Sequence, residues 1–117
     1  MLKNDFRRLQ KQQMISKAVN PYYFAYRLQK KLSKDAIMIL GNSCACTSLS
    51  QYGISKKGQR LYTNVNCGTM GYDIPAALGA AIASKKPVIC ATGDGSFQMN
   101  IQELQTIVHN KLPVKFI

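Results

Sequence analysis

The strand–turn–helix pattern between residues 87 and 109 constrains the fold of this chain more than any other feature. An apolar run, Pro87–Thr92, leads into the turn Gly93-Asp94-Gly95-Ser96, and an amphipathic helix is predicted to start near Asn100. Glycines let the backbone come close to a ligand, and the start of a helix offers free N–H groups that suit phosphate. The Asp94 carboxylate is a hard oxygen ligand of the kind that magnesium and calcium prefer. The turn therefore predicts a site for a diphosphate with a divalent cation.

Strand-like and helix-like segments alternate along the rest of the chain. Asn20 and Pro21 predict a helix N-cap and first turn, with the helix running to about Leu32. Residues 74–82 carry apolar side chains at helical spacing, and residues 42–53 form a further short helix candidate. Strands are predicted at residues 36–40, 61–64, 87–92 and 114–117. This order predicts an α/β fold, a parallel sheet with helices on both faces.

The length of 117 residues allows at most one small domain. We expect residues 1–19 to form a basic N-terminal helix or linker and residues 20–117 to form a partial domain. Because the last predicted strand resembles a central one, we expect this domain to be truncated at its C-terminus. The sequence has no apolar run long enough to span a membrane and no apolar secretory signal, so the expectation is a cytoplasmic protein without a membrane partner.

The net charge of +11 is concentrated near the N-terminus, where nine of the 16 basic residues fall in residues 1–34. Two interpretations stay open, a solvated helical face and a nucleic-acid-binding arm. We favour the first, with no nucleic-acid partner, because no helix-turn-helix, zinc-finger or aromatic RNA-binding motif accompanies the charge. Binding to DNA with a steep salt dependence would indicate the second.

Other chemistry-bearing residues give weaker signals. The four cysteines contain no Cys-x-x-Cys pair and there is a single histidine, so no zinc site is predicted, and Cys90 is expected to be a small buried hydrophobe. Asp73 and Glu103 are predicted to be helix caps or surface charges. A dinucleotide-binding fingerprint is disfavoured, because Gln98 stands where its third glycine would be.

Two blocks together carry a family resemblance. Gly68-Thr69-Met70-Gly71, continuing through Pro75-Ala76-Ala77, and the turn at residues 93–96 flank one apolar strand. In order and spacing they resemble the diphosphate-binding domain of thiamine-diphosphate enzymes, most nearly the acetolactate synthase group. The resemblance runs from about Asn20 to Ile117 and is most specific between Gly68 and Leu104.

This resemblance implies roles for individual residues. Asp94 would be a direct Mg²⁺ ligand, and Gly95 and Ser96 would contact phosphate oxygens. The Gly68 carbonyl would accept a hydrogen bond from the cofactor's 4′-amino group. The Met70 N–H would donate to the neighbouring ring nitrogen, and the Met70 side chain would lie between the two rings and hold the cofactor bent. Three further cofactor-binding residues are implied in the loop after the first strand: Gly41, Asn42 and Ser43. Because Asn42 and Ser43 depart from the bulkier residues of the group, a plain polar turn stays open as the alternative.

The resemblance also implies an enzyme that decarboxylates pyruvate and transfers the two-carbon unit to a second 2-oxoacid. The alternatives are another thiamine-diphosphate 2-oxoacid decarboxylase and a truncated module without activity. No catalytic residue is named, because the activating glutamate of such enzymes lies on a separate pyrimidine-binding domain, usually across a homodimer or homotetramer interface. FAD is possible in a longer parent enzyme. The family's second metal ligand lies beyond the 23 residues that follow Asp94, so we expect poor cofactor affinity and little activity from this chain alone.

Overall fold

Four short strands form one parallel sheet in the computed structural model, which describes residues 3–15 and 17–117. The side chains of residues 3–6, 43 and 45 lie outside that description. The strand order is β2-β1-β3-β4. The strands are β1 (Ile37–Leu40), β2 (Arg60–Thr63), β3 (Val88–Ala91) and β4 (Val114–Phe116). The first strand pairs on both sides, with Ile37 opposite Arg60 on β2 and Val88 on β3, and Val88 is opposite Val114 on β4.

Helices cover both faces of this sheet. The described helices are α1 (Lys3–Ile15), α2 (Pro21–Lys31), α3 (Ser43–Tyr52), α4 (Asp73–Ser84), α5 (Asp94–Met99) and α6 (Glu103–His109). Because neighbouring strand residues point to opposite faces, β1 supplies two separate cores. Met38 and Leu40 pack with α2 and α3, whereas Ile37 and Ile39 pack with α4. The predicted α/β architecture is confirmed.

The start of α2 is set locally, as the sequence predicts. The Asn20 side chain accepts hydrogen bonds from the backbone N–H groups of Tyr22 at 3.0 Å and Tyr23 at 3.2 Å, and Pro21 opens the helix. At the other end, the Lys56 ammonium donates to the backbone carbonyls of Leu32 and Lys30. A cation there complements the negative end of the helix dipole. These bonds therefore hold the loop before β2 against the end of α2.

The segment after β3 differs from the prediction. Helix α5 begins at Asp94 rather than near Asn100, and it ends at Met99 before a turn that leads into α6. Asn100 lies in that turn, and its side-chain amide donates to the Gly71 carbonyl oxygen at 2.6 Å. A helix of six residues is too short to show an apolar stripe, which is why the periodicity begins only after it.

The N-terminal segment forms a helix of its own. Met1, Leu2 and Ser16 of the predicted segment 1–19 lie outside the described residues. The Gln13 side chain joins the end of α1 to the chain that follows, donating to the Ala18 carbonyl at 3.0 Å and accepting from the Asn20 N–H. The domain boundary at residue 20 stays a prediction. No helix in the described ranges is both long and apolar enough to cross a membrane.

Candidate functional site

Two loops diverge where β1 and β3 end side by side. The loop after β1 leads through α3 to β2 on one side of the sheet, and the loop after β3 leads through α5 and α6 to β4 on the other. Such a divergence opens a crevice at the carboxyl ends of parallel strands, where α/β proteins bind their ligands. The predicted site residues at 41–43 and 94–96 follow these two strands directly. The fold therefore brings both loops to one edge of the sheet.

The Gly-Asp-Gly turn presents Asp94 at the surface. Gly93 is the N-cap of α5 in an extended conformation, and Asp94 is the first helical residue with an exposed side chain. The turn closes through a 2.9 Å hydrogen bond from the Phe97 N–H to the Gly93 carbonyl. The Phe97 ring packs edge-on against Phe116 of β4, with centroids 5.4 Å apart. The carboxylate thus projects from a turn that is fixed to the sheet.

The two predicted blocks touch each other, although 25 residues separate the bonded atoms. The Gly71 N–H donates to the Ser96 Oγ at 2.8 Å, and the Gly71 carbonyl accepts from the Asn100 amide. A Cβ on Gly95 would lie 2.8 Å from the Met70 methyl carbon. The Ser96 side chain is buried, and its hydroxyl oxygen is already used as the acceptor of the Gly71 N–H.

The Gly68 backbone offers a free acceptor. Its φ of +57° lies in the left-handed region that favours glycine, although a Cβ there would meet nothing within 4 Å. The Gly68 N–H donates to the Asn64 carbonyl at 2.8 Å. Among the described residues no hydrogen bond uses the Gly68 carbonyl oxygen. The backbone conformation therefore favours glycine here, and the Gly68 carbonyl is available to a ligand.

A cleft of about 320 Å³ contains three of the predicted residues, Gly41, Asn42 and Gly68. It lies between α3 and the loop after β2, and Cys46 forms part of its wall with Sγ 3.0 Å from the Thr63 Oγ1. Asn42 precedes α3 without capping it through its side chain, so its amide is free to bind elsewhere. Ser43 begins α3, and its side chain lies outside the described part of the chain.

A larger groove of about 670 Å³ lies away from these residues, between α4 and the edge strand β2. Arg60 and Tyr62 line it from the strand, and Ala76, Gly79 and Ala83 line it from the helix. None of the eight predicted site residues borders it. The groove exists because α4 lies over β1 and β3 and leaves this face of β2 uncovered.

Sequence reasoning missed the role of Asp73. This residue starts α4 with 0% of its surface exposed, so its interpretation as a surface charge is wrong. Its carboxylate accepts hydrogen bonds from the Thr92 hydroxyl and from the Ile74 N–H, the latter at 3.0 Å. Burial, with a smaller contribution from the Asp73 charge, raises the pKa of the nearby Cys90 thiol to about 12. The sequence feature that could have indicated its burial is its position between Tyr72 and a run of small and apolar residues.

The donor set suits a metal that arrives with its own phosphate ligands. Within residues 3–15 and 17–117, no group of three or more His, Cys, Asp or Glu side chains is arranged to hold a metal ion. Asp94 is a single exposed carboxylate in a turn between two glycines. Magnesium commonly binds one or two protein carboxylates and completes its shell with water and substrate phosphates. The residues present therefore fit a magnesium diphosphate better than a metal centre made by protein alone.

Comparison with known proteins identifies the type of domain. Residues 41–117 match the family described as thiamine pyrophosphate enzyme, C-terminal TPP binding domain. The chain is 50% identical over 62 residues to the acetolactate synthase large subunit of Porphyra purpurea, covering 52% of this chain and 10% of that protein. It is 41% identical over 69 residues to the acetolactate synthase isozyme 2 large subunit of Escherichia coli (strain K12), covering 58% and 13%.

These relatives are far longer than the present chain. A third, the acetolactate synthase large subunit of Cyanidium caldarium, is 59% identical over 49 residues, which are 41% of this chain and 8% of that protein. The chain thus spans about a tenth of the length of the curated relatives it matches. The family match covers well over half of this chain and includes both blocks. The chain therefore belongs to the thiamine pyrophosphate enzyme family, as a C-terminal TPP-binding domain similar to that of acetolactate synthase large subunits.

Proposed function

We propose that this chain binds thiamine diphosphate together with Mg²⁺ as part of a 2-oxoacid-utilising enzyme of the acetolactate synthase type. The observation that carries the proposal is the contact between the two blocks, in which Gly71 bonds Ser96 and Met70 lies against Gly95. The contact places the block at residues 68–71, proposed for the ring end of the cofactor, beside the turn at residues 93–96, proposed for its diphosphate end. We place this function in residues 20–117.

Each site residue has a part in the proposed binding. The Asp94 carboxylate would hold Mg²⁺, and the Gly95 and Ser96 backbone N–H groups would bind the diphosphate. The loop of Gly41, Asn42 and Ser43 would approach the same diphosphate from the neighbouring strand. This division is supported by the exposure of Asp94 and by the uncapped, half-buried Asn42 side chain.

Gly68 and Met70 would orient the ring end. The free Gly68 carbonyl oxygen would accept a hydrogen bond from the aminopyrimidine, and the Met70 side chain, 40% exposed, would support the bend between the rings. Such orientation makes a proton transfer effectively intramolecular, which gives a large rate advantage. When bound, the cofactor supplies the carbanion chemistry that 2-oxoacid decarboxylation needs.

The whole enzyme would require more than this domain. We propose a pyruvate-consuming transferase, acting in the cytoplasm in branched-chain amino acid synthesis, whose pyrimidine-binding domain completes the site across a homodimer or homotetramer interface. The similarity to acetolactate synthase large subunits supports this assignment. FAD binding would belong to a further domain of such a parent enzyme.

The cofactor proposal is tested by calorimetric titration of the 117-residue chain with thiamine diphosphate, with Mg²⁺ and then with EDTA. We expect weak binding only with Mg²⁺, because a single protein carboxylate reaches the cation. Asp94→Asn is expected to weaken it at least about tenfold, the loss typical of a charge-assisted contact. Asp35→Asn is the matched control, since Asp35 is exposed and paired with Lys86, outside the predicted site. Equal affinity of Asp94→Asn and the unsubstituted chain would rule out the metal role.

The reaction is tested separately, on the enzyme with its pyrimidine-binding domain present, by supplying pyruvate, thiamine diphosphate and Mg²⁺ and analysing the products. Acetolactate would support the proposed transferase, and acetaldehyde would indicate a decarboxylase instead. Cofactor binding without any product would indicate a binding module. Because binding and turnover are measured independently, each alternative gives its own result.

A further inference from the structure

The buried Asp73 carboxylate lies between the two loops of the proposed cofactor site. One oxygen, Oδ2, accepts a hydrogen bond from the Thr92 hydroxyl, which directly precedes the Gly-Asp-Gly turn. The same Oδ2 lies against the Gly41 backbone, in the space that a Cβ at residue 41 would occupy. The other oxygen, Oδ1, accepts from the Ile74 N–H in the first turn of α4. One side chain thus contacts the ends of β1 and β3 and the start of α4.

These contacts explain why residue 41 is glycine. The Gly41 N–H donates to the Ala91 carbonyl at 2.7 Å, which fixes the loop against β3. A Cβ there would collide with the Asp73 Oδ2 and would also lie 3.3 Å from the Ala91 oxygen. Since Asp73 is fully buried, its carboxylate has no open space into which to retreat. The absent side chain at residue 41 and the carboxylate at residue 73 therefore form one steric unit.

The same unit is polar and lies at the divergence of the loops. A buried carboxylate is stable only where hydrogen-bond donors surround it, and here the donors come from two different elements. The Thr92 hydroxyl also lies 3.2 Å from the Gly93 carbonyl oxygen, so the bond to Asp73 holds this hydroxyl beside the first peptide of the turn. Moving Asp73 would disturb the loop after β3 and the loop after β1 together.

We propose that Asp73 is a positioning residue that sets the spacing and orientation of the two loops, 41–43 and 92–96. Its action on the cofactor passes through Thr92 and Gly41, and this consequence rests on the proposed function. The positioning itself is a property of the chain without any ligand. The two parts are therefore tested by different measurements.

The positioning is tested without ligand by amide hydrogen exchange. Thr92→Val keeps the side-chain shape but removes the donor, and we expect about tenfold faster exchange at the Phe97 N–H, which closes the turn on the Gly93 carbonyl, the change that loss of one hydrogen bond allows. Thr92→Ser keeps the hydroxyl and is expected to exchange like the unsubstituted chain. The control is Gln59→Ala, which removes three hydrogen bonds on the β2 side, away from the turn: one to the Ser33 carbonyl and two from the Ser55 and Lys56 N–H groups. Unchanged exchange in Thr92→Val would overturn the inference.

The steric unit is tested by a double-mutant cycle. Gly41→Ala is expected to lower the melting temperature by roughly 5 °C or more, as a core clash in a small domain does. In an Asp73→Ala background the same change is expected to lower it by less than half as much, because the colliding oxygen is gone. If the losses in melting temperature of the two single variants add in the double variant, residues 41 and 73 act independently and the proposed steric coupling between them is wrong.

The cofactor consequence is tested by titration with Mg²⁺ and thiamine diphosphate. We expect Thr92→Val to bind roughly tenfold more weakly, and Thr92→Ser and Gln59→Ala to bind within about threefold of the unsubstituted chain. A loss in Gln59→Ala equal to that in Thr92→Val would mean that affinity follows stability alone, against a positioning role. If the unsubstituted chain does not bind, the proposed function fails, while the exchange and melting experiments still decide whether Asp73 positions the loops.

Discussion

The Met70 methyl carbon lies where a side chain on Gly95 would begin, since a Cβ on residue 95 would stand 2.8 Å from it. Methionine can rest against the turn only because residue 95 is glycine. The second glycine of the turn therefore serves the packing between the two blocks in addition to any approach of phosphate. A substitution of Gly95 is therefore expected to act on the position of Met70 as well as on any phosphate contact.

Gly95→Ala is expected to displace Met70 with little loss of stability, because the far end of a methionine side chain moves easily. We expect the melting temperature to change by less than about 3 °C, while the affinity for Mg²⁺ and thiamine diphosphate falls roughly tenfold. Thermal unfolding and calorimetric titration measure the two effects. In a Met70→Ala background, Gly95→Ala should cost no further affinity. If the two losses add instead, Gly95 acts directly on the ligand and not through Met70.

Asn100→Ala is expected to destabilise the chain by about 1–3 kcal/mol, because it leaves the buried Gly71 carbonyl without its donor. The free energy of unfolding in urea measures the loss. Asn110→Ala provides the matched control, since the Asn110 side chain also donates to a backbone carbonyl, that of Thr106 at 2.8 Å, but in an exposed position. Water replaces that donor, so a loss below about 0.5 kcal/mol is expected. Equal losses in both variants would contradict the importance of burial at Gly71.

Local sequence signals predicted the elements of this fold well. The Asn20-Pro21 pair marks the start of α2, and the apolar runs around Ile39 and Cys90 lie in the two central strands. Glycine and aspartate at residues 93–95 mark the loop after β3. Caps, turns and apolar runs depend on interactions within a few residues, so they are legible in a single sequence.

The contacts between distant segments could not be predicted in the same way. Periodicity indicates which side of a helix is buried but not which loops meet at the end of a sheet. The bonds from Gly71 to Ser96 and from Asn100 to Gly71 arise only when α4 packs back on β3 and brings its start beside the loop after that strand. Asp73 was misjudged for the same reason, because its donor Thr92 comes from another strand end. The residues of the site were predictable, whereas their support was a property of the topology.

The Cys90 thiol is expected to make stability fall at high pH. Its pKa is raised from 9.0 to about 12 in the folded chain, so the stabilisation is complete below pH 9 and is lost as the pH rises toward 12. Over this range the unfolded chain releases the proton first, and the free energy of unfolding falls by at most about 1.4 kcal/mol per pH unit. The free energy of unfolding, measured in urea at several pH values, should fall less steeply with pH in Cys90→Ala than in the unsubstituted chain. Cys67→Ala is the control, because that side chain is exposed and its removal should leave the slope unchanged. Equal slopes in Cys90→Ala and the unsubstituted chain would contradict the assignment.

Gly79→Ala is expected to stabilise the chain by about 0.5–1 kcal/mol, raising the melting temperature by roughly 3–6 °C. Gly79 lies within α4, and a Cβ there would meet no atom within 4 Å. Alanine would restrict the unfolded chain without any clash in the folded one. Gly71→Ala should destabilise the chain, because φ is +82° there and a Cβ would lie 2.8 Å from the Asn100 amide nitrogen. Should Gly79→Ala destabilise instead, either the groove between α4 and β2 is occupied in solution or the alanine strains the helix. Sedimentation velocity would then distinguish a second copy of this chain, which doubles the mass, from strain within one copy, which leaves the mass unchanged.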